Sequence, residues 1–286
     1  MKKLFAVLLA LVMLFALSAS AMADMQTLSW LTARRDLEKT DLTGKYFKIA
    51  DLDVDIWVPD LFKQVEEVSQ NAFCAFAAEN NSAVISVNHL TFDGDPSLEE
   101  IEKMAIDAGC ESDGIFWING FNALIYETKS EDSLSVLIKI TDEGAMEITF
   151  APVSNPDVYS VASLVLTSIQ RHTLDVEDVA LMMDADLNSF WGENKSVKYT
   201  DDDKEQLIHI AMWEDGVNSE TINDVNNWDE VTDAKITLYN DYIDALNELG
   251  MGNVVLNLDY LSEDQDVTFF TIEAGEITYD AFADAA

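Results

Sequence analysis

The dipeptide Asn119-Gly120 stands between two apolar segments, Ile115–Ile118 and Phe121–Thr128. A two-residue hairpin turn needs positive φ at both central positions, and Asn-Gly tolerates that geometry well. Strands joined by so short a turn can pair only antiparallel, because a parallel pair needs a crossover of a dozen or more residues. Ser133–Thr141 and Ala145–Ala151 repeat the pattern around Asp142-Glu143-Gly144. The spacing therefore predicts an antiparallel sheet at the centre of the first half of the chain.

Other elements add to that sheet. Residues 45–58 read as extended, with Leu52, Val54, Ile56 and Val58 alternating with Asp51, Asp53, Asp55 and Trp57 until Pro59. Period two puts the apolar residues on one face and the aspartates on the other. Lys63–Val68, Ala72–Ala78 and Ala83–Leu90 read as further strands. Ser97 and Glu100 form a capping-box pattern, predicting a helix to Ala108 that Gly109 stops. A second helix is expected from Asn155-Pro156 to about Arg171.

A second unit is expected from His172. Asp175–Phe190 has helical spacing. Ser196–Thr200 and Gln206–Trp213 read as a hairpin around Asp201-Asp202-Asp203. Ser219–Leu249 reads as a long helix, interrupted in the Asn/Asp-rich stretch 223–229. Asn253–Tyr260, Val267–Ile272 and Glu276–Phe282 read as strands. The expected fold class is α+β: two units, each an antiparallel sheet with helices, spanning 44–171 and 172–286, with a short helix or a lead-in arm at 24–43.

The first 23 residues read as an address. A cationic Met1-Lys2-Lys3 precedes the apolar run Leu4–Leu17, and small residues stand at Ala21 and Ala23. This is the pattern of a secretory signal peptide cleaved after Ala23. The apolar run is shorter than the roughly 20 residues of a membrane span. No second long apolar run follows, so the expectation is a secreted or cell-envelope protein with no membrane span in the mature chain.

Composition narrows the function. The chain has 54 Asp+Glu against 16 Lys+Arg, a formal net charge of −38, yet is 49% apolar. That apolar content fits a folded protein, not a disordered acidic tail. The charge would repel a phosphate backbone, so nucleic acid is not an expected partner. Three histidines at scattered positions, and no Gly-rich loop or G-x-S-x-G, leave no zinc, phosphate or serine-nucleophile motif. No cofactor is expected.

The candidates that remain are few. Asp51, Asp53 and Asp55, spaced about 7 Å apart along one strand face, could collect a divalent cation; a solvated strand face is the plainer account. Trp57 beside Asp55 could bind a sugar or a basic protein if exposed. Cys74 and Cys110 would be exported together, so a disulfide is allowed, as are two unpaired thiols. His89 shares a face with Ile85 and Val87, His172 falls at a junction, and His209 is taken to lie opposite Leu207.

Several segments of residues 44–171 carry a resemblance. They are Trp57-Val58-Pro59-Asp60, Ile85-Ser86-Val87, Ser97-Leu98-Glu99-Glu100, Ile118-Asn119-Gly120, Thr149-Phe150-Ala151-Pro152 and Ser168-Ile169-Gln170. Together they resemble the PsbP/Mog1-like α/β/α sandwich of secreted Firmicutes proteins. Val254-Val255-Leu256-Asn257-Leu258 and Gly275–Asp280 are similar to a domain that accompanies it. The resemblance implies a binding or assembly role and transfers no ligand residue. The expected function is a non-catalytic binding protein for a basic protein, a peptide, a glycan or an envelope component. The alternatives are a hydrolase using a carboxylate pair and a low-affinity divalent-cation-binding protein.

Overall fold

The computed structural model describes residues 26–49, 52–201, 205–218, 220–221 and 228–282. The expected signal peptide and Asp51 lie outside them. The chain divides into two compact units, between Thr173 and Leu174.

In the first unit, strands β1 (Gln26–Leu28), β2 (Gly44–Lys48), β3 (Asp55–Pro59), β4 (Phe62–Gln64), β5 (Ala72–Ala78), β6 (Val84–Thr91), β7 (Glu111–Ile118), β8 (Phe121–Thr128), β9 (Ser133–Thr141) and β10 (Gly144–Ala151) accompany helices α1 (Trp30–Glu38), α2 (Leu98–Asp107) and α3 (Pro156–Thr167). Eight strands form one sheet in the order β1-β7-β8-β9-β10-β6-β5-β4, and β2 and β3 form a separate antiparallel ribbon.

Alternation along β8 gives the sheet two buried faces. Ala123 and Ile125 join a core with Ile56 and Val58 of the ribbon and Ala162 and Val165 of α3. Leu124 and Tyr126 point the other way and pack with Ile101 of α2. The unit is thus a sheet held between α2 on one side and the ribbon with α3 on the other. The Ser97/Glu100 capping box that begins α2 is formed in both directions.

Three expectations for this unit change. The described residues of 45–58 form two separate strands, β2 and β3, and an Ile49 N–H to Val54 carbonyl hydrogen bond links the ends that face each other. Asp53 therefore precedes β3 and Asp55 starts it, so these two do not lie along one strand face. β4 ends at Gln64, where strand pairing with β5 stops, and does not reach Val68. The pairing is not purely antiparallel: β1 pairs parallel with β7, and α1 follows it.

The second unit contains α4 (Val176–Trp191), β11 (Lys195–Asp201), β12 (Gln206–Trp213), α5 (Trp228–Glu248), β13 (Val255–Leu261), β14 (Thr268–Glu273) and β15 (Glu276–Asp280). Its sheet runs β11-β12-β13-β14-β15. A capping box between Asp175 and Asp178 starts α4. The purely antiparallel expectation is corrected here: β12 pairs parallel with β13, Leu207 opposite Val255. The helix between them is long enough to carry the chain back to the starting edge, which the short turns elsewhere are not. Both units remain α+β and mostly antiparallel.

Candidate functional site

The second sheet is buried on one face only. Ile208, Ile210 and Met212 of β12 and Leu256, Leu258 and Tyr260 of β13 are buried. Their side is the helix side. Lys195, opposite Met212, is ion-paired with Asp184 of α4. Lys235 of α5 lies 4.7 Å from the Tyr260 ring centroid. A buried hydrogen bond from the Tyr242 hydroxyl to Asp186, 2.7 Å, ties the two helices together.

The residues between these point to the other face and are half-buried: Leu207, His209, Ala211 and Trp213 of β12, and Val255, Asn257, Asp259 and Leu261 of β13. His209 thus shares its face with Leu207, correcting the expectation that they lie opposite, since residues two apart on a strand point the same way. At the centre, the His209 Nε2–H donates to Asp259 Oδ2 at 2.8 Å. The Thr271 hydroxyl of β14 donates to Asp259 Oδ1, also at 2.8 Å. Partial burial alone would raise the Asp259 pKa, but the His209 and Thr271 hydrogen bonds outweigh it and hold the carboxyl below its usual range. The imidazole remains 39% exposed and the carboxylate 21%. The arrangement is an ionised acid with both oxygens engaged, fixing an imidazole that faces outward.

Trp57, Asp53 and Asp55, the described ligand candidates singled out from the sequence, belong to the first unit. Trp57 is only 5% exposed, which overturns the reading of an exposed binding ring. It packs against Trp30 of α1 at 5.9 Å, and its backbone N–H donates to Ser168 Oγ at 2.8 Å. A Cβ at Gly44 would meet the Trp57 ring at 2.5 Å, so only glycine fits beneath it. Asp55 accepts from His172 Nδ1–H at 2.9 Å, and Asp53 accepts from the Thr173 N–H at 3.0 Å. The backbone of Asp55 also exchanges two hydrogen bonds with Gln170. These acids fasten the segment that leaves the first unit. Among the described residues, no group of three or more His, Cys, Asp or Glu side chains is placed to hold a metal.

The disulfide is not formed: Cys74 and Cys110 are both free. They belong to opposite faces of the first sheet, Cys74 packing with the ribbon-side core and Cys110 with the α2-side core. Burial pushes the Cys74 thiol up to about 11, which makes it a poor nucleophile. The Cys110 thiol lies 3.4 Å from the Thr128 hydroxyl.

Two residues outside those candidates carry unusual environments. Asp113 sits where a bulge interrupts the β7–β8 ladder. Desolvation by its neighbours, then the negative charges of Glu127 and Glu111, push its carboxyl up to about 6. Lys235 is buried with its ammonium 4.0 Å from the Trp191 ring centroid and 3.6 Å from Glu214. Desolvation lowers its pKa against the opposing pull of Glu214. The alternation of polar and apolar residues in Val255–Tyr260 marked a two-faced strand, but nothing local marked which partner Asp259 would meet.

No family model matches the chain, and no curated protein matches it. A crystal structure of a protein from Bacteroides thetaiotaomicron VPI-5482 at 1.50 Å resolution is similar over 58% of this chain and 85% of its own, with 11% identity and a TM-score of 0.31. Among the described residues, no helix is long and apolar enough to cross a membrane.

Proposed function

We propose that the chain is an exported, acidic, non-catalytic binding protein whose second unit presents the binding surface. The observation that carries this reading is the second sheet: one face is packed against two helices, while the other displays an ordered His209–Asp259–Thr271 network among half-buried side chains. The network is fixed by two hydrogen bonds yet stays partly open to solvent, on the face that no helix covers. The cationic start and apolar run of residues 1–17 support export. The layering of the first unit supports reading residues 44–171 as a PsbP/Mog1-like sandwich that acts as scaffold. With a net charge of −38 the partner is not a polyanion.

Co-sedimentation of the exported protein with isolated bacterial envelopes tests the reading. Retention that falls when His209 and Asn257 are replaced by Ala is the expected result. No retention, or retention indifferent to both replacements, would count against it.

A carboxylate-pair hydrolase is the second reading, favoured only by the raised Asp113 beside Glu127. It requires that a glycan or peptide be cut and that Asp113→Asn stop the cutting. Intact polymer after prolonged incubation with the wild type would reject it.

A further inference from the structure

We propose that Asn119 is a deamidation site guarded by the fold. Its side chain stays intact while the first unit is closed, converts to aspartate or isoaspartate when the unit opens, and then bars the unit from closing again. This modification is separate from whatever the second unit binds.

The reaction needs only the chain and water. The Gly120 amide nitrogen attacks Cγ of Asn119, and the new N–Cγ bond closes a five-membered succinimide. Nδ2 leaves as ammonia, taking the proton that the glycine nitrogen gives up. Water then opens the ring at either carbonyl, leaving aspartate or isoaspartate. Glycine favours the attack because it has no Cβ to shield its nitrogen. Asn119-Gly120 is the only Asn-Gly pair in the sequence. Both residues have positive φ, 43° and 98°, as the two-residue turn between β7 and β8 requires. The pair that makes the turn is therefore also the pair most open to this chemistry.

The closed unit opposes each stage. Asn119 is fully buried. Its Nδ2 donates to the carbonyls of Thr167 and Ile169 at 2.6 and 2.8 Å, and its Oδ1 accepts from the Trp30 N–H at 2.7 Å. Swinging Cγ onto the Gly120 nitrogen would break all three bonds and strand buried polar groups. The leaving nitrogen is held through two donated hydrogen bonds, and no surface of the residue meets the water that must open the ring. These partners come from the start of α1 and the end of α3, both far from the hairpin in sequence. Protection therefore lasts only while both are docked on the sheet, and it is lost when the unit opens.

Return is blocked by the same partners. An ionised carboxylate donates nothing. It would set an anionic oxygen, in place of the amide nitrogen, against the Thr167 and Ile169 carbonyls in a buried site. Isoaspartate also adds a main-chain carbon to the turn between Ile118 and Phe121, which face each other in the ladder.

Peptide mapping by mass spectrometry of the full chain, held in mildly alkaline buffer with and without denaturing urea, tests the proposal. Conversion at Asn119 should be at least about a hundredfold slower without urea, because it must wait for opening. In urea, where folding plays no part, Gly120→Ala should slow it, since a methyl group then shields the nitrogen. Asn119→Asp, expressed as such, should lose hydrogen-exchange protection in peptides from residues 26–173. Equal conversion with and without urea would overturn the proposal, because the fold would then give no guard. So would Asn119→Asp with wild-type protection, because closing would then tolerate the product. Conversion in urea that is indifferent to Gly120→Ala would overturn the succinimide route.

Discussion

Leu124 and Ile125 are neighbours in β8 of the first unit and both are buried, one beneath α2 and the other beneath the ribbon and α3. Ile208 in β12 of the second unit is buried, while Leu207 and His209 on either side of it are not. The strands look alike in length and apolar content, yet one kind is enclosed by three layers and the other by two. A strand enclosed on both faces has every side chain committed to packing. A strand enclosed on one face can vary half of its side chains with little loss of stability. The difference teaches where to look for function: the first unit has spent its sheet on the core, and the second has a face left over.

The largest expected effect breaks the first unit alone. Asn119 is fully buried; its Nδ2 donates to the carbonyls of Thr167 and Ile169 at 2.6 and 2.8 Å, and its Oδ1 accepts from the Trp30 N–H at 2.7 Å. Asn119→Ala strands these groups and should cost about 3 kcal/mol or more. Hydrogen exchange read by mass spectrometry should show lost protection in peptides from residues 26–173, with those from 174–282 unchanged. Equal loss in both would mean that the two units do not respond separately.

Next comes the layer count itself. Leu124→Ala and Ile125→Ala should each destabilise by about 2–4 kcal/mol in urea unfolding, as should Ile208→Ala. Leu207→Ala, on the open face, should cost less than about 1 kcal/mol. A Leu207 cost as large as that of Ile208 would show that the second sheet is enclosed on both sides in solution.

Smaller effects follow from protonation. The folded Asp259 pKa lies below the unfolded value of about 3.9, so its contribution is complete above that pH and disappears as pH falls through the folded value. Asp259→Asn should therefore be about 0.5–1 kcal/mol less stable than wild type at pH 7, the gap closing below about pH 4. Melting curves across that range decide it; a constant gap would locate the effect in packing.

Asp113 has the opposite sign. Its folded pKa is raised to about 6, so ionising it costs stability as pH rises from about 4 to 6. Asp113→Asn should match wild type at pH 4 and gain at most about 1 kcal/mol at pH 7, since the site is partly exposed and screened. A loss at pH 7 would contradict the crowding of negative charge.

Local signals carried most of the elements. The capping box at Ser97 and the hairpin around Asn119-Gly120 each depend on residues a few positions apart, and each appears as expected. What depended on distant residues was not legible. Trp57 alternates with acids, which suggested exposure, but α1 arrives from elsewhere in the chain and covers it. Asp53 and Asp55 looked like a cation-collecting row until residues 170–173 came back to use them. Asn119 was readable as a turn former, and its role in fastening Trp30 to the end of α3 was not. The His209–Asp259–Thr271 network joins three strands and depends on the parallel step that turn lengths alone argued against.

That parallel step also governs how the second unit assembles. β11–β12 and β13–β14–β15 are each joined by short connections, and each pairing can begin among near neighbours as the chain searches. The join of β12 to β13 spans all of α5 and must wait until that helix lies against both pieces. Closing so long a loop spends chain entropy before any contact rewards it, so this docking should be the slow step of folding. Until it happens, the central edges of two half-sheets stand unpaired, and the His209–Asp259 contact is among the last bonds the protein makes.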